Sequence, residues 1–464
     1  MRDLPGTSWK SLRRVRLTRR MVAGALAGGI SALAAACSGR GQSGGEGAGS
    51  TGFSRLGPEG FRFERPVALT YWKSLEGPRH EAQVKLTEDF NATRSDIKVT
   101  LEHVGTYAQA AEKLQVALAG GTPPDVMMLT VDSFMPGFAR RGALYPLDDF
   151  AKVDKSAGMD RYVPGFLRDG TVNGKLYQLP FARSTPLFYF NRDHLATAGL
   201  PNVAPSTWDQ VLDLSQRLTL AGVPQPDTTD QSRIAMGIAA YWWPFQSICW
   251  AFGGRLSDDQ FRPTVTQPET IEALQFLATM IERRIARGYS TSGRFQTAFV
   301  QGQTTFLMES TAQLTQIEQQ APFRVGAAFM PARKERAVPG GGSGLSIIAS
   351  IPAEKREAGW EFIKFMTNTP NTVYWSMATG YMVVRTDALS VPEYRQHLEA
   401  NPNARVTFDQ MAYVRTHDAI VEVPQAPAAI EDALRQVLVE RAPVKTVLEE
   451  LQRKLTVLAQ EAQR

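Results

Sequence analysis

"PFARSTPLFYFN", residues 180–191, reads as an apolar, aromatic strand broken in the middle by Arg183, Ser184, Thr185 and Pro186. Proline has no N–H to give a sheet ladder, so strands tolerate it only at edges, ends or bulges. Three polar groups and a strand breaker therefore sit where a simple strand should bend least. What the break means depends on its surroundings.

Upstream, "PVALTYWKS" (66–74) alternates and is rich in strand formers, and "PRHEAQVKLTEDFNA" (78–92) places Ala82, Leu86 and Phe90 at helical spacing. "IKVTLEHV" (97–104) is a second strand, "YAQAAEKLQVALAGG" (107–121) a helix closed by glycines, and "PPDVMMLT" (123–130) a short buried strand. A β-α-β-α-β order implies a parallel sheet with crossover helices, whose ligands bind outside the strands' carboxyl ends. Tyr107, Val131 and Asp132 fall at or near those ends. Downstream come amphipathic helices in 207–222 and 270–288, a helix-to-strand step in 297–309, strands in 323–332 and 340–350, and a helix in 357–368. A helix pair split near Pro443 closes the chain, and no internal repeat is visible.

At 464 residues the chain exceeds one ordinary core, and its hydrophobic content of 43% and charged content of 21% are those of a globular protein. The net charge is +5, but residues 1–36 carry seven basic groups against Asp3, a net of +6, which leaves −1 for the rest. A phosphate-tracking nucleic-acid surface needs clustered excess positive charge, so that class is excluded. The basic start leads into "MVAGALAGGISALAAAC" (21–37), too short and too rich in Gly and Ala to span a membrane comfortably. Residues 1–36 are therefore expected to be an export signal. The Arg19-Arg20 pair resembles a twin-arginine signal, and "LAAAC" resembles a bacterial lipobox that would make Cys37 the lipid-bearing first residue. Residues 37–60 follow as a Gly/Ser-rich tether with a reach of roughly 20 Å. Cys249 is then left without a partner, so no disulfide framework is expected and the thiol reads as a small buried hydrophobe.

The order of these pieces resembles the extracytoplasmic solute-binding proteins of ABC importers, in the sugar-type group that includes maltose-binding protein. It is most similar to that group's glycerol-3-phosphate and glycerophosphodiester binders. The resemblance runs through "YWKSLEG" (71–77), "VNGKLYQLPFARSTPLFYFNRDHLATAGLP" (172–201), "PSTWDQVL" (205–212), "WAFGG" (250–254), "FVQGQTTFLMEST" (299–311), "PGGGSGL" (339–345), "ATGYMVVRTDAL" (378–389) and "NPNARVTFDQ" (401–410). It implies an α/β fold, a two-lobed periplasmic-binding-protein clamp like maltose-binding protein, with the ligand cleft between the lobes. The expected lobes are 61–183 with 310–378, and 184–309 with 379–464. Phe181 to Pro186 would be the first crossing and cleft floor, and "LMEST" (307–311) the second.

Residue by residue, the resemblance implies ligand contacts at Tyr107, Ser184, Ser310, Gly342 and Tyr381, with Asp132 one place out of register behind Val131, and with Trp242 from "AYWWPFQSICW" (240–250). Hydroxyls, a backbone N–H, a carboxylate and aromatic rings together suit a small polar solute. The relatives also present an arginine to the phosphate near the C-terminus. Here the matching stretch is "VPQAPAAIEDAL" (423–434), with Ala429 or a neighbour in that slot and no arginine between Arg415 and Arg435. Arg183 stands beside Ser184, but strand alternation points it away if Ser184 faces the cleft. Losing the cation weakens the case for a phosphomonoester, so a neutral sugar or oligosaccharide stands beside the glycerophosphate ligands.

The expected protein is a monomeric, membrane-anchored extracytoplasmic lipoprotein, without cofactor or metal, that serves an ABC permease. A glycosidase would need two carboxyls across one bond. Only Asp132, and less well Glu76 and Glu309, recommend themselves, while the five histidines show no metal spacing.

Overall fold

The computed structural model describes residues 54–132, 134–224 and 234–462. The export signal, Cys37 and most of the tether lie outside the described residues. The chain forms two lobes, each a five-stranded sheet clothed by helices. In the first lobe β1 (Val67–Lys73), α1 (Pro78–Thr93), β2 (Ile97–His103), α2 (Tyr107–Ala119) and β3 (Val126–Thr130) follow the β-α-β-α-β order, and β1 pairs in parallel with β2 and β3. β4 (Leu179–Ser184) ends this lobe's first pass, and β5 (Pro186–Asn191) opens the second sheet. There β6 (Met236–Ala239), α3 (Trp242–Phe252), β7 (Ala286–Tyr289), β8 (Phe306–Ser310) and β9 (Val325–Ala328) follow. The chain returns through β10 (Gly341–Ile347), α4 (Ala353–Met366) and α5 (Thr369–Thr379), and finishes on α6 (Ala426–Leu438) and α7 (Val444–Ala462).

The sheet orders are β2-β1-β3-β10-β4 and β7-β6-β8-β5-β9. β9 falls inside the 310–378 stretch expected in the first lobe, yet it is hydrogen-bonded to β5 in the second sheet. Tyr381, Met382 and Val384, expected in the second lobe, pack in the first core. Physically, the chain makes a third pass: after β8 crosses back, 325–328 returns to pair along the free edge of β5, and Val338 to Gly341 crosses again. Residues 54–60, taken as tether, begin a hairpin of Ser54–Gly57 with Gly60–Phe63. It is held by Phe61, whose N–H donates to Glu361 (2.8 Å) and whose carbonyl accepts from Arg94 (2.8 Å). Burying the aromatic rings of Phe61 and Phe63 outweighs the glycine-rich composition there.

The broken strand is the joint between the lobes. All of residues 178–191 are buried, so the break lies in the interior. Thr185 sits between β4 and β5; its carbonyl accepts from the Thr311 N–H (2.9 Å) and its own N–H donates to Thr311 Oγ1 (3.2 Å). Gln410 Nε2 then donates to Thr185 Oγ1 (2.7 Å) and to the Pro186 carbonyl (2.6 Å). Pro186 brings no N–H to this crowded point, and the polar side chains satisfy the backbone groups that a sheet-to-sheet step leaves open. The Arg183 side chain packs against the first lobe, close enough to Asp132 and Tyr107 for their charges to act on it. It is fully buried, pairs with Asp169, and lies 4.8 Å over the Phe166 ring.

Removing one partner of a buried ion pair strands a charge in the core. R183M is expected to lose about 3–5 kcal/mol of unfolding free energy in urea, and R183M with D169N to recover most of it. Equal losses in the single and double variants would show that the pairing is not what holds this position.

Candidate functional site

Both walls of the cleft begin at strand ends. On the first lobe, Tyr107 opens α2 behind a capping box, with Thr106 Oγ1 accepting from the Gln109 N–H and Gln109 Oε1 accepting from the Thr106 N–H. The cap fixes the tyrosine, whose hydroxyl shares a hydrogen bond with Ser343 Oγ (3.1 Å). Ser343 follows Gly342, whose φ of +86° and the 2.0 Å that a Cβ would leave to the Ala182 carbonyl exclude any other residue. Tyr381 follows the left-handed Gly380, stacks on Trp375 at 5.6 Å, and carries the Arg79 guanidinium 5.4 Å above its ring. Burial pushes the Tyr107 and Tyr381 phenols up, so both stay protonated donors.

On the second lobe, Trp242 is the first residue of α3, buried, with Tyr241 edge-on at 6.4 Å. Trp243 reaches across to the first-lobe strand: its indole Nε1 donates to the Gly340 carbonyl (3.4 Å), and a Cβ on Gly341 would stand 2.4 Å from its ring. Burial, and then the carboxylates of Asp132, Glu309 and Glu431, push the Tyr241 phenol up. Asp132 belongs to the first lobe, so this electrostatic contact spans the cleft. Burial also raises the carboxyls of Glu309 and Glu431; the first donates nothing but accepts from the Ser310 N–H (2.7 Å), and the Trp242 N–H opposes the shift of the second.

Tyr107, Gly342 and Tyr381 thus converge on one wall, and Asp132 lies where its charge acts on Arg183, Tyr241 and His417. Ser184 is buried and paired opposite Gly341. Ser310 caps a short turn, accepting from the Ala312 N–H (3.2 Å) while its hydroxyl proton remains available to donate. Ala429 packs inward in the second core, and Ala428 beside it is exposed. Three residues escaped the reading of the sequence. Arg79 donates to the Ala312 carbonyl (2.8 Å) and so ties the site to the return crossing; its only signal was its place in the first turn after the loop that follows β1. Glu431 and His417 carried no local signal.

His417 is buried between the lobes, 3.5 Å from Glu422, which also pairs with Arg140 of the first lobe. Burial works against the imidazolium, yet Glu422, with Asp169 and Asp132 behind it, outweighs burial and raises the ring's pKa. Burial likewise opposes the Glu422 charge, but His417 and Arg140 hold that carboxyl below its usual range.

Among the described residues, no helix is long and apolar enough to cross a membrane, and no group of three or more His, Cys, Asp or Glu side chains could hold a metal ion. Cys249 is buried and free, its thiol pushed up by burial.

Two α/β lobes, joined by crossing strands around a cleft lined with hydroxyls, carboxylates and aromatic rings, define a solute-binding clamp rather than an enzyme. The chain belongs to the bacterial extracellular solute-binding protein family, whose model matches residues 85–404. It is 25% identical over 367 residues to the sn-glycerol-3-phosphate-binding periplasmic protein UgpB of Pectobacterium atrosepticum, covering 74% of this chain and 79% of that protein. The crystal structure of UgpB from Mycobacterium tuberculosis in complex with glycerophosphocholine superposes with a TM-score of 0.76 at 33% identity, over 85% of this chain and 98% of that one. A cyclic alpha-maltosyl-1,6-maltose binding protein from Arthrobacter globiformis shares the fold at 21% identity and a TM-score of 0.75, over 85% of this chain and 100% of that one.

The raised His417 contributes stability that is complete below the unfolded imidazole pKa and is lost as pH rises through the folded value. The depressed Glu422 contributes stability that is lost as pH falls through its own folded value. The melting temperature is expected to fall as the pH climbs through the raised imidazole range, and H417Q to lack that fall. A fall of the same size in H417Q would assign it to another group.

Proposed function

We propose that this protein is the solute-capturing component of an ABC importer and that its solute is a zwitterionic glycerophosphodiester. The observation that carries this reading is that both signs of charge meet the cleft. Arg79 stands over Tyr381, while the carboxylates of Asp132, Glu309 and Glu431 act on Tyr241, with Arg183 and His417 in the field of Asp132. A phosphodiester carries one negative charge, which Arg79 can meet. A quaternary ammonium gains from the faces and negative surroundings of Tyr241 and Trp242. A phosphomonoester instead brings up to two negative charges toward three carboxylates, without the arginine that the relatives supply. The tyrosine hydroxyls, Ser184, Ser310 and Asp132 suit the glycerol hydroxyls.

A neutral sugar is the second reading, favoured by the same carboxylates as acceptors for hydroxyl groups and by the tryptophans of α3. The export reading extends to anchoring: Cys37 would carry the lipid, which labelling with a radioactive fatty acid checks against C37A.

Calorimetry with glycerophosphocholine, glycerol 3-phosphate and maltose separates the readings. Glycerophosphocholine is expected to bind at least about tenfold tighter than glycerol 3-phosphate, and R79M to cost about 1.5–3 kcal/mol of that binding, the worth of a hydrogen bond to a charged group. Tighter binding of maltose than of either phosphate would overturn the proposal in favour of the sugar.

A further inference from the structure

Beside the polar site lies a groove of ≈ 890 Å³ with walls from both lobes. Ala111 of α2, Phe134 and Phe138 form the first-lobe side; Phe261, Pro427 and Ala428 face them from the second lobe. The groove continues the cleft. Tyr107, Ala111 and Gln115 share one face of α2 at four-residue spacing, so its wall extends about 12 Å from the site tyrosine. Phe134 lies two residues beyond Asp132, and Ala428 is exposed to the groove from the second lobe.

The lining is mainly apolar. Its two guanidinium groups are engaged: Arg140 pairs with Glu422 and lies 5.3 Å over Phe261, and Arg141 lies 4.9 Å over Phe138. A sugar needs convergent hydrogen-bonding groups and open ring faces, which this lining does not offer. Phe261 (φ 60°) and Gln425 (φ 66°) both line the groove in the left-handed region, which a bulky residue enters at a cost. Such conformations persist where surrounding structure holds them, often at ligand clamps.

We propose that this groove is a subsite for the single acyl or alkyl chain of a solute whose polar head sits at Tyr107, Asp132 and Ser184. The proposal rests on the glycerophosphodiester reading for its head group. It assigns to the cleft an amphiphile of intermediate length, with the head enclosed and the chain lying between the lobes.

The test is calorimetry on the intact protein with glycerophosphocholine and its hexanoyl and octanoyl esters below their micelle concentrations. Each further pair of methylenes in the groove is expected to tighten binding about tenfold. F261N, in which asparagine tolerates the left-handed backbone, should abolish that gain and leave the affinity for unacylated glycerophosphocholine unchanged. Esters that bind no more tightly than the bare head overturn the groove while leaving the head-group reading intact. Failure of the head and of both esters to bind overturns both. A chain-dependent gain that survives F261N places the chain elsewhere and overturns the proposal. So does concentration-dependent dimerisation that F261N removes without any chain effect, which would give the groove to a second copy.

Discussion

The two hydrogen bonds between Thr185 and Thr311 are the constraint on which the rest depends. They join two crossing segments at a point where neither sheet can supply a ladder, and Gln410 completes the junction from a third stretch of chain. A buried polar joint of this kind is expensive when partly satisfied and rigid when fully satisfied. Because it is fully paired, the lobes share a defined axis, and the residues at the strand ends beside it face one another across a fixed opening. The walls of the cleft inherit their spacing from that joint.

Electrostatics then divides the opening. The same burial that keeps Tyr107 and Tyr381 protonated raises the carboxyls of Glu309 and Glu431, so the cleft holds groups whose charge depends on what enters it. Arg183 pairs with Asp169 and also feels Asp132 and Tyr107, while Arg79 at the start of α1 lies over the Tyr381 ring.

Much of this was legible in the sequence. The parallel half of the first sheet followed from hydropathy period alone, and the crossing at 180–191 followed once the neighbouring motifs suggested a clamp. The third pass was not legible, because 325–328 reads as a strand whichever sheet it joins, and only its partner decides. The hairpin at 54–63 was hidden by glycines whose conformational cost is offset by two buried phenylalanines. Arg79, His417 and Glu431 sit in ordinary helical or loop sequence. Their importance arises from what the fold brings beside them, which no local pattern records.

Gly341 has a consequence of a different kind. With no side chain there, the Trp243 indole rests directly against a strand of the opposite lobe. The position therefore acts as a bearing beside the joint: the indole and the crossing strand lie in contact only because no Cβ stands between them. Residues along the walls are free to drift toward new solutes, whereas any side chain at 341 would push the indole off the crossing strand whatever the solute.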